Sequence, residues 1–262
     1  MSTTPTETEH YDEKRMELTE HLTELRSRIM RALLYLTIGA TACYFLFKPI
    51  YSLLYFPMEV ALKASGVDVR IMFTRFTQPF FVVLQISVVA GLIVMSPLVT
   101  MELWGFVAPA LTPSERKPLR YVSPLSVVLF VAGVCLGYWV ARYAMYWFLG
   151  YVRWFPKGTV LYQDPQQLVL FMVKLMGAFG LVFQLPVILM FLAWVGILTS
   201  AGMKKSWRHA IVGISFVGML VTPSNDVFTM LVMIIPVIVL YVASIGLVQL
   251  VEKKRAKRVA AL

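Results

Sequence analysis

Charged residues are scarce in this chain of 262 residues: 15% are Asp, Glu, Lys or Arg, whereas 59% are hydrophobic. An ordinary soluble domain is about 25% charged and about 45 to 50% apolar. Cysteine is also scarce, since the two cysteines lie inside apolar runs without CxxC or Cys/His spacing, which argues against a disulfide framework or a zinc site. The composition excludes a soluble globular protein and predicts one membrane-embedded unit.

The first 28 residues lack the pattern of a cleavable secretory signal, which has a basic start followed closely by an apolar core. The segment is polar and rich in glutamate, and we predict that residues 1–16 form a flexible N-terminus. Further on, Leu18, Leu22 and Leu25 recur at helical spacing. This pattern predicts an amphipathic helix at the membrane surface before the first span.

Long apolar runs are abundant. A membrane helix needs ~20 largely apolar residues, and runs occur at roughly 29–47, 80–103, 121–142, 168–197, 209–221 and 227–251. We therefore predict an all-α integral membrane protein, with six transmembrane helices in a membrane domain over residues 17–252. The fifth run is short, and prolines within the spans predict a curved bundle; these are Pro97, Pro124, Pro186 and Pro236.

Lysine and arginine are unevenly distributed between the loops. With six spans both termini share a side, and two thirds of the 24 Lys and Arg residues lie on that side, including the basic tail 253–262. The positive-inside rule then predicts that both termini and this tail are cytoplasmic. The two long loops on the opposite side, 48–79 and 143–167, are rich in aromatic residues and are predicted to form a cap.

Polar residues within the predicted spans are few, chiefly Glu102, Lys174, Gln184 and Gln249. No His, Asp or Ser pair has catalytic spacing, which argues against a membrane enzyme, and we expect no cofactor or metal. A chain of charged residues along the spans would favour a pump or an ion pathway, and none is visible. Asp226 follows a proline turn and is interpreted either as a helix cap or as a functional acid.

Two motifs carry a specific resemblance. The sequence His-Leu-Thr-Glu-Leu-Arg-Ser-Arg occupies residues 21–28, and Trp-Gly-Phe-Val-Ala-Pro-Ala-Leu-Thr-Pro-Ser-Glu-Arg-Lys occupies residues 104–117. With Phe56-Pro57, Phe183-Gln184-Leu185-Pro186 and the turn at 222–226 in the same order, the chain resembles TatC, the multispan signal-receptor subunit of the twin-arginine protein translocase. The resemblance covers the chain from about Glu17 to Glu252.

The resemblance implies a glove-shaped six-helix bundle in the cell inner membrane that recognises folded cargo through paired arginines in its signal peptides. It also implies TatA- and TatB-like single-span partners and export driven by the proton motive force. Glu24 and Glu115 match the family's signal-binding carboxylates, and we place Arg26 and Phe106 with them. The chemistry agrees, because a guanidinium offers a carboxylate a planar fork of donors.

Simpler interpretations remain open for these residues. Glu24 has the i,i+4 spacing of a helix pair with Arg28, Glu115 could pair with the basic residues after it, and Pro57 fits either the family's external cap or a simple turn. Gln184 replaces a glutamate common among relatives. We predict that its amide contacts a partner's transmembrane helix, the alternative being a hydrogen bond to a carbonyl within the bundle that Pro186 leaves free.

Overall fold

The computed structural model describes residues 7–65, 69–107, 113–152, 154–156, 158–221 and 227–259. The elements in chain order are α1 (Glu7–Phe45), α2 (Phe47–Ser65), β1 (Val69–Ile71), α3 (Gln78–Val107), α4 (Pro113–Val152), β2 (Leu161–Gln163), α5 (Pro165–Val182), α6 (Leu185–Val195), α7 (Ser200–Lys205), α8 (Trp207–Val221) and α9 (Val227–Val259). The prediction of a helical membrane fold is confirmed, and two three-residue strands are a small addition to it.

Several helices are long and apolar enough to cross a membrane. Four stretches qualify on their own, Gln78–Phe106, Val122–Val152, Pro165–Val195 and Met230–Lys253, and a fifth arises if α1 and α2, bent by 81° from one another, are counted together. Helix α8 has 15 residues and is about 22 Å long, less than the ~30 Å hydrocarbon core. It corresponds to the short fifth run, so the structure is compatible with six passes.

The N-terminal helix and the first span form one element. We predicted an amphipathic helix before the first span, and α1 joins the two in one continuous helix of 39 residues. It contains no proline, and its single glycine is Gly39, so nothing in its sequence breaks the helix between the polar and apolar parts. The predicted boundary after residue 16 falls inside α1, while residues 1–6 lie outside the described chain. The tail from 253 continues α9 up to Val259.

Proline shapes the fourth predicted span. Helix α5 ends at Val182, and α6 begins at Leu185 with Pro186 in its first turn. A proline has no backbone N–H to donate to the preceding turn, so the helix breaks at Phe183 and Gln184. The proline predicted to curve the bundle therefore lies at a break between two helices.

The last part of α1 crosses the middle of α3 closely. A Cβ atom added to Gly91 would lie 2.4 Å from the backbone nitrogen of Ala40, and one added to Gly39 would lie 3.0 Å from the carbonyl oxygen of Gly91. Only glycine permits this backbone contact. The two helices run antiparallel, so residues 21–31 of α1 lie beside the end of α3.

The two long loops do form a joint structure at the other end of the bundle. Strands β1 and β2 pair in parallel, with Val69 opposite Leu161 and Ile71 opposite Gln163. The first loop also contains α2, and Pro57 lies fully buried inside that helix, so the interpretation of this proline as a simple turn is wrong. We call this region the cap end.

A buried hydrogen-bond group fastens the cap end to the bundle. Gln78, the first residue of α3, is 4% exposed. Its Nε2 donates to Asp164 Oδ1 at 2.5 Å, and its Oε1 accepts from the Thr74 backbone N–H at 2.8 Å. Asp164 Oδ1 also accepts from the Gln166 backbone N–H at 2.8 Å, so Asp164 caps the N-terminus of α5.

Candidate functional site

Charged side chains gather at the opposite end, where α1 passes the last turns of α3. His21, Glu24, Arg28 and Arg31 follow one another at spacings of three and four residues and therefore share one face of α1. Glu102 of α3 meets this face, since the crossing at Gly39 and Gly91 brings the helices together. We call these five residues the charged cluster and this region the charged end.

Glu24 is the most open carboxylate of the charged cluster. Its Oε1 accepts two hydrogen bonds from Arg28, from Nη2 at 2.8 Å and from Nε at 3.0 Å. Its Oε2 lies 4.0 Å from Nδ1 of His21, too far for a hydrogen bond. Within the described residues Oε2 accepts no hydrogen bond, and the side chain is 29% exposed. One oxygen of Glu24 can therefore accept an external donor.

Glu102 holds both arginines of α1. It accepts from Arg31 through Nε at 2.9 Å and Nη2 at 3.0 Å, and from Arg28 through Nη1 at 3.2 Å. The Glu102 side chain is 15% exposed, and a carboxylate with so little water needs charged partners. From the sequence, Glu102 is only one of the few polar residues in the predicted spans, and its contact with two arginines was not predicted. The sequence feature that could have indicated this contact is an acidic residue near the end of an apolar helix, together with two arginines three residues apart on another helix.

Gly105 provides the space in which the Arg28 guanidinium lies. A Cβ atom at this position would be 2.1 Å from Arg28 Nη1 and 2.8 Å from Cζ. Such distances are shorter than any real contact, so a side chain here would push the guanidinium aside. The glycine of the Trp-Gly-Phe motif therefore allows Arg28 to reach both helices.

The neighbours of Gly105 hold the end of α3 in place. Phe106 stacks on His21, with ring centroids 4.6 Å apart and planes inclined by 18°. Trp104 is buried and packs edge-on against Phe191 of α6, at 5.4 Å between centroids. Phe106 thus lies beside the charged cluster, as predicted, and Trp104 attaches α3 to the core.

The remaining predicted residues are placed differently. Arg26 is exposed and forms no ion pair or hydrogen bond with the described residues, and its position two residues after Glu24 turns it to another face of α1. Glu115 belongs to the first turn of α4, but its side chain lies outside the described part of the structure, as does Asp226 altogether. The structure therefore brings Glu24 and Phe106 together, does not bring Arg26 to them, and leaves the pairing with Glu115 a prediction.

Gln184 makes its hydrogen bonds inside the bundle. Its Nε2 donates to the Ser126 carbonyl oxygen at 3.0 Å, and its Oε1 accepts from the Ser126 hydroxyl. The internal alternative that we considered is therefore present, although the acceptor belongs to α4 and is not a carbonyl freed by Pro186. Contact with a partner helix stays a prediction.

The apolar helices and the charged cluster define a helical membrane protein with a partly exposed carboxylate at one end of its bundle. Comparison with known proteins identifies the family of this membrane protein. A family model described as "Sec-independent protein translocase protein (TatC)" matches residues 20–236, and the chain belongs to this TatC family. It is thus a component of a protein translocase and not an enzyme.

Individual relatives agree over nearly the whole chain. The TatC protein of Koribacter versatilis is 35% identical over 251 residues, covering 94% of this chain and 89% of the relative. That of Xylanimonas cellulosilytica is 30% identical, with 94% and 88% covered. A crystal structure described as the twin arginine translocase receptor TatC superposes with a TM-score of 0.74 at 28% identity, covering 88% of this chain and 99% of that one.

Proposed function

We propose that this protein is the receptor and core subunit of a twin-arginine translocase, which binds the signal peptides of folded proteins through Glu24 and Glu115. The observation that carries the proposal is Oε2 of Glu24, which accepts no hydrogen bond from the described residues. This carboxylate is partly exposed and lies beside His21, on whose ring Phe106 stacks. A signal peptide would place the first of its paired arginines at this oxygen.

The chemistry of the charged end favours arginine over lysine as ligand. A guanidinium donates two parallel hydrogen bonds to a carboxylate, whereas an ammonium interacts as a point charge. Arg31 already binds Glu102 in this two-point manner. The same geometry at Glu24, with Glu115 as a second carboxylate from the start of α4, would select two adjacent arginines.

The charged end should face the cytoplasm, where folded cargo is made. The distribution of lysine and arginine supports this orientation in the cell inner membrane, with both termini cytoplasmic. A cysteine placed at Gly158, in the loop of the cap end, should then react with an impermeant maleimide from outside the cell. A cysteine at Ser114 should not react, and the reverse pattern would contradict the orientation.

The wider reaction requires other proteins. We propose that TatA- and TatB-like single-span proteins associate with this subunit, with Gln184 facing one of their helices, and that the assembly uses the proton motive force to move the cargo. No cofactor takes part in this scheme. Arg26, Pro57 and Asp226 act in it as supports of the N-terminal helix, the cap and α9.

A binding measurement with a twin-arginine peptide tests the proposal. Glu24→Gln and Glu115→Gln each remove a charged acceptor whose hydrogen bonds are worth ~1.5 to 3 kcal/mol, so each should weaken binding roughly ten- to a hundredfold. A peptide with two lysines should bind weakly to the unmodified protein. The readout is fluorescence anisotropy of labelled peptide with the purified protein in detergent.

Glu59 provides the matched control. It forms an i,i+4 ion pair with Lys63 at 2.7 Å on α2, the same spacing as Glu24 and Arg28 on α1. Glu59→Gln should leave peptide affinity unchanged. Unchanged affinity of a folded variant that carries both Glu24→Gln and Glu115→Gln would eliminate the proposed function.

A further inference from the structure

Arg28 uses the hydrogen-bonding capacity of Glu24 in an unusual way. The two hydrogen bonds that Arg28 donates to Glu24, from Nε and Nη2, go to the same oxygen, Oε1. A carboxylate oxygen offers about two lone-pair sites, so Arg28 fills Oε1 and leaves Oε2 open. An external guanidinium that binds in the two-point manner needs both oxygens. It must therefore displace Arg28 from Oε1.

We propose that Arg28 is a built-in competitor for the signal-peptide arginine, and that Glu102 retains the Arg28 guanidinium when the ligand takes Glu24. This inference rests on the proposed function and names two positioning residues that regulate the same site. Arg28 is then an internal arginine that occupies the carboxylate of Glu24 until the signal-peptide arginine replaces it.

The geometry allows the exchange without leaving a charge unpaired. Arg28 already touches Glu102 through Nη1 at 3.2 Å. Glu102 accepts three hydrogen bonds, one fewer than the roughly four that a carboxylate can accept. One acceptor site is thus available for a second donor from Arg28. Gly105 keeps the space beside Nη1 clear.

A purely structural role makes the opposite prediction. If Arg28 only ties α1 to α3, its removal would loosen the site and weaken peptide binding. If Arg28 competes with the ligand, its removal strengthens binding. The two roles are therefore separated by the direction of the change in affinity.

The decisive experiment compares Arg28→Met with the unmodified protein, and Lys205→Met is the control for the loss of one positive charge. Lys205 is exposed at the end of α7 and lies outside the charged cluster. Glu102 retains Arg31 as partner when Arg28 is replaced. With the twin-arginine peptide and the anisotropy readout, Arg28→Met should bind roughly three- to tenfold more tightly than the unmodified protein and than Lys205→Met. Equal or weaker binding overturns the competition.

A further variant tests Glu102. Glu102→Gln removes the charge that would retain Arg28. This variant should confine Arg28 to Glu24 and weaken peptide binding several-fold. If the folded variant binds like the unmodified protein, Glu102 does not take over Arg28.

The outcomes also separate this inference from the proposed function. The gain in Arg28→Met should vanish when Glu24→Gln is added, because the competition takes place on that carboxylate. If Glu24→Gln alone binds as well as the unmodified protein, the proposed function fails. If Glu24→Gln weakens binding but Arg28→Met does not bind more tightly than the unmodified protein, only the competition fails. Size-exclusion profiles and helical circular dichroism report folding in each case.

Discussion

The two ends of α3 both use a carboxylate to connect helices, but they use it differently. At the cap end, Gln78 and the N-terminus of α5 donate neutral N–H groups to Asp164, in a place where Gln78 is 4% exposed. At the charged end, Glu24 binds Arg28, and Glu102 binds both Arg28 and Arg31. The exposed fraction of these four side chains ranges from 15% to 46%.

This difference separates a structural joint from a binding site. A buried group whose hydrogen bonds are made by fixed backbone and amide donors has little to offer a ligand and loses much if it is opened. A partly exposed carboxylate whose partner is a long charged side chain can exchange that partner at low cost. The charged end, whose ion pairs cost less to open, is therefore the end suited to binding a ligand.

The largest effect on stability is expected at the cap end. Gln78→Ala would leave the Thr74 N–H without its acceptor and remove a donor from Asp164, at a cost of about 1 to 3 kcal/mol in the free energy of unfolding. Thermal unfolding in detergent measures this loss. Gln85→Ala is the control, because its contact with Gln166 is 3.4 Å long and should contribute less. Peptide binding should survive in both variants, and its loss in Gln78→Ala would show that the two ends are coupled.

A smaller effect is expected at the charged end. Arg31 is 46% exposed, so solvent screens its ion pair with Glu102. Arg31→Gln should lower the unfolding temperature less than Gln78→Ala does, and the difference from the unmodified protein should fade as salt is raised from 0.1 to 1 M, where the screening length falls from about 10 to about 3 Å. The Gln78→Ala effect should not depend on salt. An equally salt-independent loss in Arg31→Gln would contradict the contrast between the ends.

The smallest effect belongs to the middle of the bundle. Gln184→Leu removes both hydrogen bonds to Ser126, and hydrogen bonds within membranes average only ~0.6 kcal/mol. We expect this variant to loosen association with a TatA- or TatB-like partner without unfolding, as measured by co-purification. Ser126→Ala is the milder comparison, because the backbone carbonyl of residue 126 can still accept from the amide. Loss of folded protein with full retention of the partner would make Gln184 purely structural.

Much of this architecture could be predicted from local patterns. The apolar runs predicted the helices because hydrocarbon requires each backbone hydrogen bond to be made within its own segment. Pro186 marked the place where the helix after α5 begins. The continuity of α1 agrees with its sequence, because neither proline nor glycine marks a boundary between residues 7 and 38.

The sequence by itself determined the membrane class, the positions of the spans, the family motifs and the candidate carboxylate Glu24, since each depends on neighbours along the chain. Only the tertiary structure decided that Glu102 lies against Arg28 and Arg31, 74 and 71 residues away, that Gly105 makes room for a guanidinium, and that Gln78 joins Asp164 across the cap. Such pairings depend on where two helices cross. That crossing is set by the backbone contact at Gly39 and Gly91, whose steric basis appears only when both helices are in place.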